Sequence, residues 1–146
     1  MRLPHWIAIG AAVAGCATAT PEAVRPYRVE GDTIPARLAP APGNAARGKA
    51  IVVGRDSNCV LCHAVPESGV RFMGNVGRPL DGVGARLTEG QLRLRIVDSM
   101  RLNRDTIMPS YYRTEGLRQV AEAWRGKPVL TAQEVEDTVA YLLTLR

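Results

Sequence analysis

Five residues, Cys59-Val60-Leu61-Cys62-His63, constrain this chain more than any other stretch of it. Two thiols three positions apart, followed at once by an imidazole, form the attachment pattern of a c-type haem. The spacing has a physical reason. The two cysteines add across the vinyl groups on one edge of the porphyrin. The next residue is then carried over the ring face, where its imidazole can bind the iron. A bare C-x-x-C also suits a redox dithiol or half of a zinc site. Zinc takes four ligands, and besides these three the chain holds only His5 and Cys16, both near the N-terminus. A dithiol would open a helix after a strand in an alternating β/α pattern, and no such pattern is legible. The expected cofactor is one covalent haem c, attached through Cys59 and Cys62, with His63 as an axial ligand.

The other face of the iron decides the chemistry. A thioether gives an electron carrier of raised potential, whereas an open face gives ligand binding or oxygen chemistry. Three methionines follow the haem motif, Met73, Met100 and Met108. Met73 comes too soon after His63 to reach round the ring. Met100 continues a helical stripe with Leu92 and Ile96, the place of a core filler. Met108 stands in a loop, and Pro109 after it favours an extended backbone that can present the sulfur inward. Met108 is therefore the expected second axial ligand. Once His5 is removed with a leader, His63 is the sole histidine, which excludes bis-histidine ligation within one chain.

A leader is legible. Arg2 supplies charge, Ile7 to Gly15 is a short apolar run, and small residues follow. The run is too short to anchor in a bilayer and reads as an export signal. A plain cleavage after Ala17-Thr18-Ala19 sets the signal at 1–19. Val13-Ala14-Gly15-Cys16 also fits a lipobox, which would end the signal at residue 15 and leave Cys16 lipidated, the one route to a membrane. Either way the expected location is the periplasm, because covalent haem attachment takes place outside the bacterial cytoplasm. Without Cys16 the chain has no structural disulfide, and the haem must act as the internal staple of a small core.

The chain has 146 residues and a net charge of +5, enough for one small domain plus the leader. No nucleic-acid-binding motif accompanies the charge. Arg93, Arg95, Arg101 and Arg104 cluster, either as a docking face for an acidic partner or as a solvated helix surface. Residues 20–43 hold Pro21, Pro26, Pro35, Pro40 and Pro42 and read as an extended arm or linker. The compact domain is expected over 44–146. Asn44 caps a first helix running to Val53. Residues 66–87, rich in glycine, form a looping wall. Thr88 and Gln91 make a capping box that opens a helix to about Met100. Leu117, Val120, Ala121 and Trp124 recur at helical spacing and predict an amphipathic helix. Thr131 and Glu134 open the last helix, whose stripe is Val135, Val139, Leu142 and Leu143.

The order of these parts resembles the class I cytochrome c fold, an all-α architecture of helices and loops around one haem. That likeness implies a close crossing of the first and last helices, for which Gly48 and Tyr141 are the candidates. It also implies that a backbone carbonyl in the stretch Gly77-Arg78-Pro79-Leu80 orients His63. Arg78 stands where the family carries proline, so the rigid ring is lost and its side chain is either solvated or set toward a haem propionate. Asn58–Ala64, Leu80–Gly84, Leu92–Asp98, Thr106–Thr114 and Gly126–Asp137 further resemble the SoxX family, small cytochrome subunits of SoxAX sulfur-oxidation complexes. This second likeness spans roughly 45–146.

What the SoxX likeness implies is a place in thiosulfate oxidation. The complex acts as an L-cysteine S-thiosulfotransferase: it joins thiosulfate to a cysteine of a SoxYZ-like carrier, and two electrons leave. The bond-forming residues are expected on a SoxA-like haem subunit, the heterodimer partner, so no catalytic residue is assigned here. This chain would take the electrons and pass them to a soluble acceptor. Cys59, Cys62, His63 and Met108 carry over as haem attachment and iron ligands. Tyr111 and Tyr112, next to Met108, either close the haem site, face the partner or pack the core. A free-standing class I cytochrome c that shuttles electrons to an oxidase or reductase shares every haem feature and stands as the alternative.

Overall fold

The computed structural model describes residues 23–146; the expected leader, with its two processing sites and Cys16, lies outside the described residues. Among the described residues four α-helices succeed one another: α1 (Ala45–Val53), α2 (Val83–Arg86), α3 (Glu89–Asp98) and α4 (Ala132–Leu142). Short 3-10 turns fill out the loops, and an isolated bridge between Glu30 and Thr33 is the only strand-like pairing among the described residues. The all-α architecture read from the sequence is the one observed.

The longer helices start where their caps are. The Asn44 side chain accepts from the Arg47 amide at 3.0 Å. Thr88 and Gln91 close a reciprocal capping box, with Gln91 Oε1 accepting from the Thr88 amide at 2.9 Å. Thr131 and Glu134 do the same at the start of α4. Each cap satisfies amide donors that the helix itself leaves unpaired, worth about 1 kcal/mol apiece.

α1 and α4 cross at Gly48. A methyl at that position would run into the Asp137 carbonyl and the Tyr141 side chain, so only glycine permits the approach. The crossing is locked by charge. Asp137 is buried and accepts from the Asn44 amide at 2.8 Å, from Arg47 Nε at 2.6 Å and Nη2 at 2.8 Å, and from Gln133 at 3.0 Å. Burial alone raises the carboxyl pKa, but the bonds from Arg47, Gln133 and Asn44 outweigh it and hold Asp137 below the usual carboxylate value.

The proline-rich stretch is extended, and it packs on the helices. Ile34 is fully buried, and its amide donates to the Gly90 carbonyl at 3.0 Å. The Leu38 amide donates to Glu136 at 2.9 Å, and the ring of Tyr27 lies 6.2 Å from that of Tyr112. Arg93 belongs to this junction. The sequence placed it in an exposed cluster, on a docking face or a solvated one, and the structure corrects that. Its guanidinium is wholly buried, donating to Glu136 at 2.8 and 2.9 Å and to the Ile34 carbonyl at 2.7 Å, with Glu89 as a further partner. The arm and α4 cover that face of α3, which periodicity alone cannot show.

Two other expectations fail. The helix predicted over 117–124 is absent, save for a 3-10 turn at Glu122–Trp124. Gly116 and Gln119 have positive φ, and Trp124 is 45% exposed. The amides of Val129 and Leu130 both donate to the Tyr111 carbonyl, at 2.8 and 2.9 Å, which draws the two ends of the segment together into a loop. An apolar stripe with nothing to bury against does not sustain a helix. Met100 is not a core filler: it is 38% exposed, at the far side of the turn that ends α3.

Gly48→Ala is expected to cost about 3 kcal/mol of stability, because backbone as well as side chains must part; denaturant unfolding of the haem-loaded protein measures it. A carboxyl whose folded pKa is lowered contributes stability that is complete above its ordinary value and lost as pH falls through the folded one. Asp137→Asn is therefore expected to weaken the protein at about pH 7 and to flatten its loss of stability on acidification to about pH 3. Unfolding midpoints at the two pH values check this.

Candidate haem site

The haem motif follows α1 almost at once, and the connection is tightly bent. Ser57 Oγ donates to the Ile51 carbonyl, and Asn58 adopts a left-handed backbone, which asparagine tolerates better than most residues. A 3-10 turn then spans Cys59–Leu61. The amides of Cys62 and His63 both donate to the Cys59 carbonyl, at 3.1 and 2.9 Å. Cys59, Cys62 and His63 thereby line one cavity of about 480 Å³.

The loop after the motif runs back along it. Gly74 donates to the Val60 carbonyl at 2.8 Å, Gly77 to Cys62 at 2.8 Å, and Leu80 to Ala64 at 2.9 Å. This register sets the Arg78 carbonyl 2.7 Å from His63 Nδ1. A carbonyl can only accept, so Nδ1 carries the proton and Nε2 keeps its lone pair for a metal. The loss of the family's proline does not break the contact. Gly77 is required beside it, since a methyl there would strike the imidazole ring.

Met108 lines the same cavity, held by its backbone: the Ser99 hydroxyl donates to its carbonyl at 2.7 Å, and its amide donates to Thr106 Oγ1 at 3.2 Å. The other two methionines of the described chain are elsewhere. The Met73 sulfur accepts from the Val65 amide at 3.1 Å, and the Met100 sulfur lies 3.1 Å from Arg113 Nη2. Tyr111 lines the cavity, and its hydroxyl donates to the Ser57 carbonyl at 2.8 Å, tying the methionine loop to the haem motif. Burial pushes the Tyr111 pKa up, so the phenol stays a donor. Tyr112 is core; its oxygen accepts from the Arg25 amide at 2.7 Å.

The rest of the lining is largely apolar, including Val52, Val83, Leu92, Ile96, Leu130 and Leu142. That α1, α3 and α4 each supply a wall was not legible from the residues, although Leu92 and Ile96 share a stripe that could have suggested it. Burial raises the Cys59 thiol pKa, opposite to what a reactive dithiol needs. Among the described residues no group of three or more His, Cys, Asp or Glu stands together to hold a bare metal ion. An apolar cavity, two thiols at its edge, an oriented imidazole and a thioether fit a covalently held iron porphyrin.

Comparison with known proteins agrees. The family model described as Cytochrome c matches residues 45–146. The crystal structure of SoxXA from P. pantotrophus is similar at 34% identity and a TM-score of 0.77, over 86% of this chain and 98% of that one. No curated protein sequence matches. No helix among the described residues is long and apolar enough to cross a membrane. The cavity and both comparisons lead to one assignment: the chain belongs to the cytochrome c family, which binds haem c covalently, and within that family it is similar to the SoxXA cytochrome.

Proposed function

We propose that this chain is the small electron-carrying subunit of a heterodimer with a SoxA-like haem protein, serving thiosulfate oxidation in the periplasm. The observation that carries the reading is the likeness to SoxXA over 86% of the chain; the stretch matched by the Cytochrome c family, residues 45–146, holds both the haem motif and the methionine loop. The need for haem attachment outside the cytoplasm supports export of the chain, with a lipid anchor only if Cys16 is modified. The bond between thiosulfate and a SoxYZ-like carrier's cysteine forms on the partner. Two electrons leave there, and this chain accepts them singly and hands them to a soluble acceptor.

In the haem itself, iron supplies reversible one-electron transfer. The chain's residues do the rest. Cys59 and Cys62 would hold the porphyrin by thioether bonds. His63, its ring fixed through Nδ1 by the Arg78 carbonyl, would offer Nε2 to the iron. Met108, on another loop of the same cavity, would offer its sulfur, and a thioether ligand favours the reduced state. The apolar walls keep water away and raise the potential further. Val76 and Ile107, exposed at the cavity edge, leave an apolar rim where a redox partner can approach closely.

Met108→Ala is expected to leave haem attached but to abolish the weak long-wavelength thioether-to-iron band of the oxidised protein. Met73→Ala is expected to leave the band in place, and the reverse pattern would remove Met108 from the site. Affinity capture from the periplasm of cells grown on thiosulfate is expected to return a second haem protein in equal amount. Recovery of the chain alone, with thiosulfate oxidation unaffected by its deletion, would favour the free-standing shuttle.

A further inference from the structure

Among the described residues the haem cavity is lined by three cations, Arg78, Arg86 and Arg95, and by no carboxylate. Elsewhere the chain pairs its partly or wholly buried arginines: Arg93 with Glu136 and Glu89, and Arg113 with Asp98. None of the three cavity arginines has an acid within ion-pair distance among the described residues. Cations beside an apolar cavity, with no acid of their own, suit an occupant that brings negative charge.

The three are not equivalent. Arg78 is exposed, and its carbonyl is committed to His63. Arg86 is exposed, and its guanidinium donates to the carbonyls of Asp81 at 2.5 Å and Pro79 at 3.2 Å, which braces the turn before α2. Arg95 is half-buried on α3, beside the cavity-lining Leu92 and Ile96. Its Nη1 donates to the Gln91 carbonyl at 3.0 Å, which steadies the side chain along the helix. Nε and Nη2 then have no acceptor among the described residues. Haem has two carboxylates, and attachment at Cys59 and Cys62 uses a different edge of the ring.

We propose that Arg95 is the counter-ion of a haem carboxylate, and that its charge contributes to the reduction potential of the iron. The proposal rests on the haem reading above. Arginine suits the task because its planar fork meets a carboxylate with two parallel bonds and stays charged at any physiological pH. A fixed positive charge near the ring favours the state with one more electron.

The test is spectroelectrochemical titration of the haem-loaded protein and of its Arg95→Gln and Arg95→Lys variants. Arg95→Gln is expected to lower the midpoint potential with the ligand-to-iron bands unchanged, and Arg95→Lys to recover most of the shift. An unchanged potential in Arg95→Gln overturns the proposal. So does a shift in Arg95→Lys as large as in Arg95→Gln, which would mean packing and not charge. If Arg95→Gln does not mature, infrared spectra with isotope-labelled haem carboxylates decide. One carboxylate stretch is expected to move between the unaltered protein and Arg95→Lys, and identical bands overturn the assignment. A colourless unaltered protein would instead overturn the haem reading itself.

Discussion

The close crossing of α1 and α4 at Gly48 is the contact on which the rest of the molecule hangs. The haem motif begins six residues beyond the last residue of α1, Val53, so the position of α1 fixes where the thiols and imidazole emerge. α4 in turn lends Thr138 and Leu142 to the cavity wall. Asp137 makes the crossing directional. It reaches the N-terminal end of α1 through the Asn44 amide and Arg47, so the two helices cannot slide without leaving a buried carboxylate short of partners. A glycine sets the distance, and a charge sets the register.

A second buried charge fixes the N-terminal arm. Arg93 joins Glu136 on α4, Glu89 one turn earlier on α3, and the Ile34 carbonyl on the arm. Such a buried pair adds little net stability compared with apolar residues of the same shape, but removing one partner is severe. Its consequence here is specificity. The extended segment has few local bonds of its own, yet Ile34 and Leu38 seat where the ionic cluster and the Gly90 carbonyl hold them. In a small domain with its centre given over to a cofactor, covering segments of this kind supply core that helices alone cannot.

The site combines rigid and adaptable parts. His63 is fixed by backbone on two sides, the Arg78 carbonyl and the space that Gly77 leaves open. Met108 sits on a loop whose own anchors are the Ser99 hydroxyl, the Thr106 side chain and, through Tyr111, the haem motif. One imidazole tightly oriented and one thioether on a tethered loop suit an electron carrier, in which the ligand set must change little between oxidation states.

Haem c, the helix starts and the candidates for attachment and iron ligation were legible in the chain itself, because each depends on local chemistry. Cys-x-x-Cys-His, the two capping boxes and Met-Pro each act over a few residues. The folded chain settles what depends on elements far apart. It buried Arg93, which its place in an arginine cluster had suggested was exposed. It unwound 117–124, where good local periodicity met no surface to cover. It placed Ile34 in the core despite its proline-rich setting, and it turned Arg95 toward the cavity. In each case the deciding partner lies distant in the chain, on another helix or across a loop. Burial is a property of two surfaces meeting, and one stretch of sequence describes only one of them.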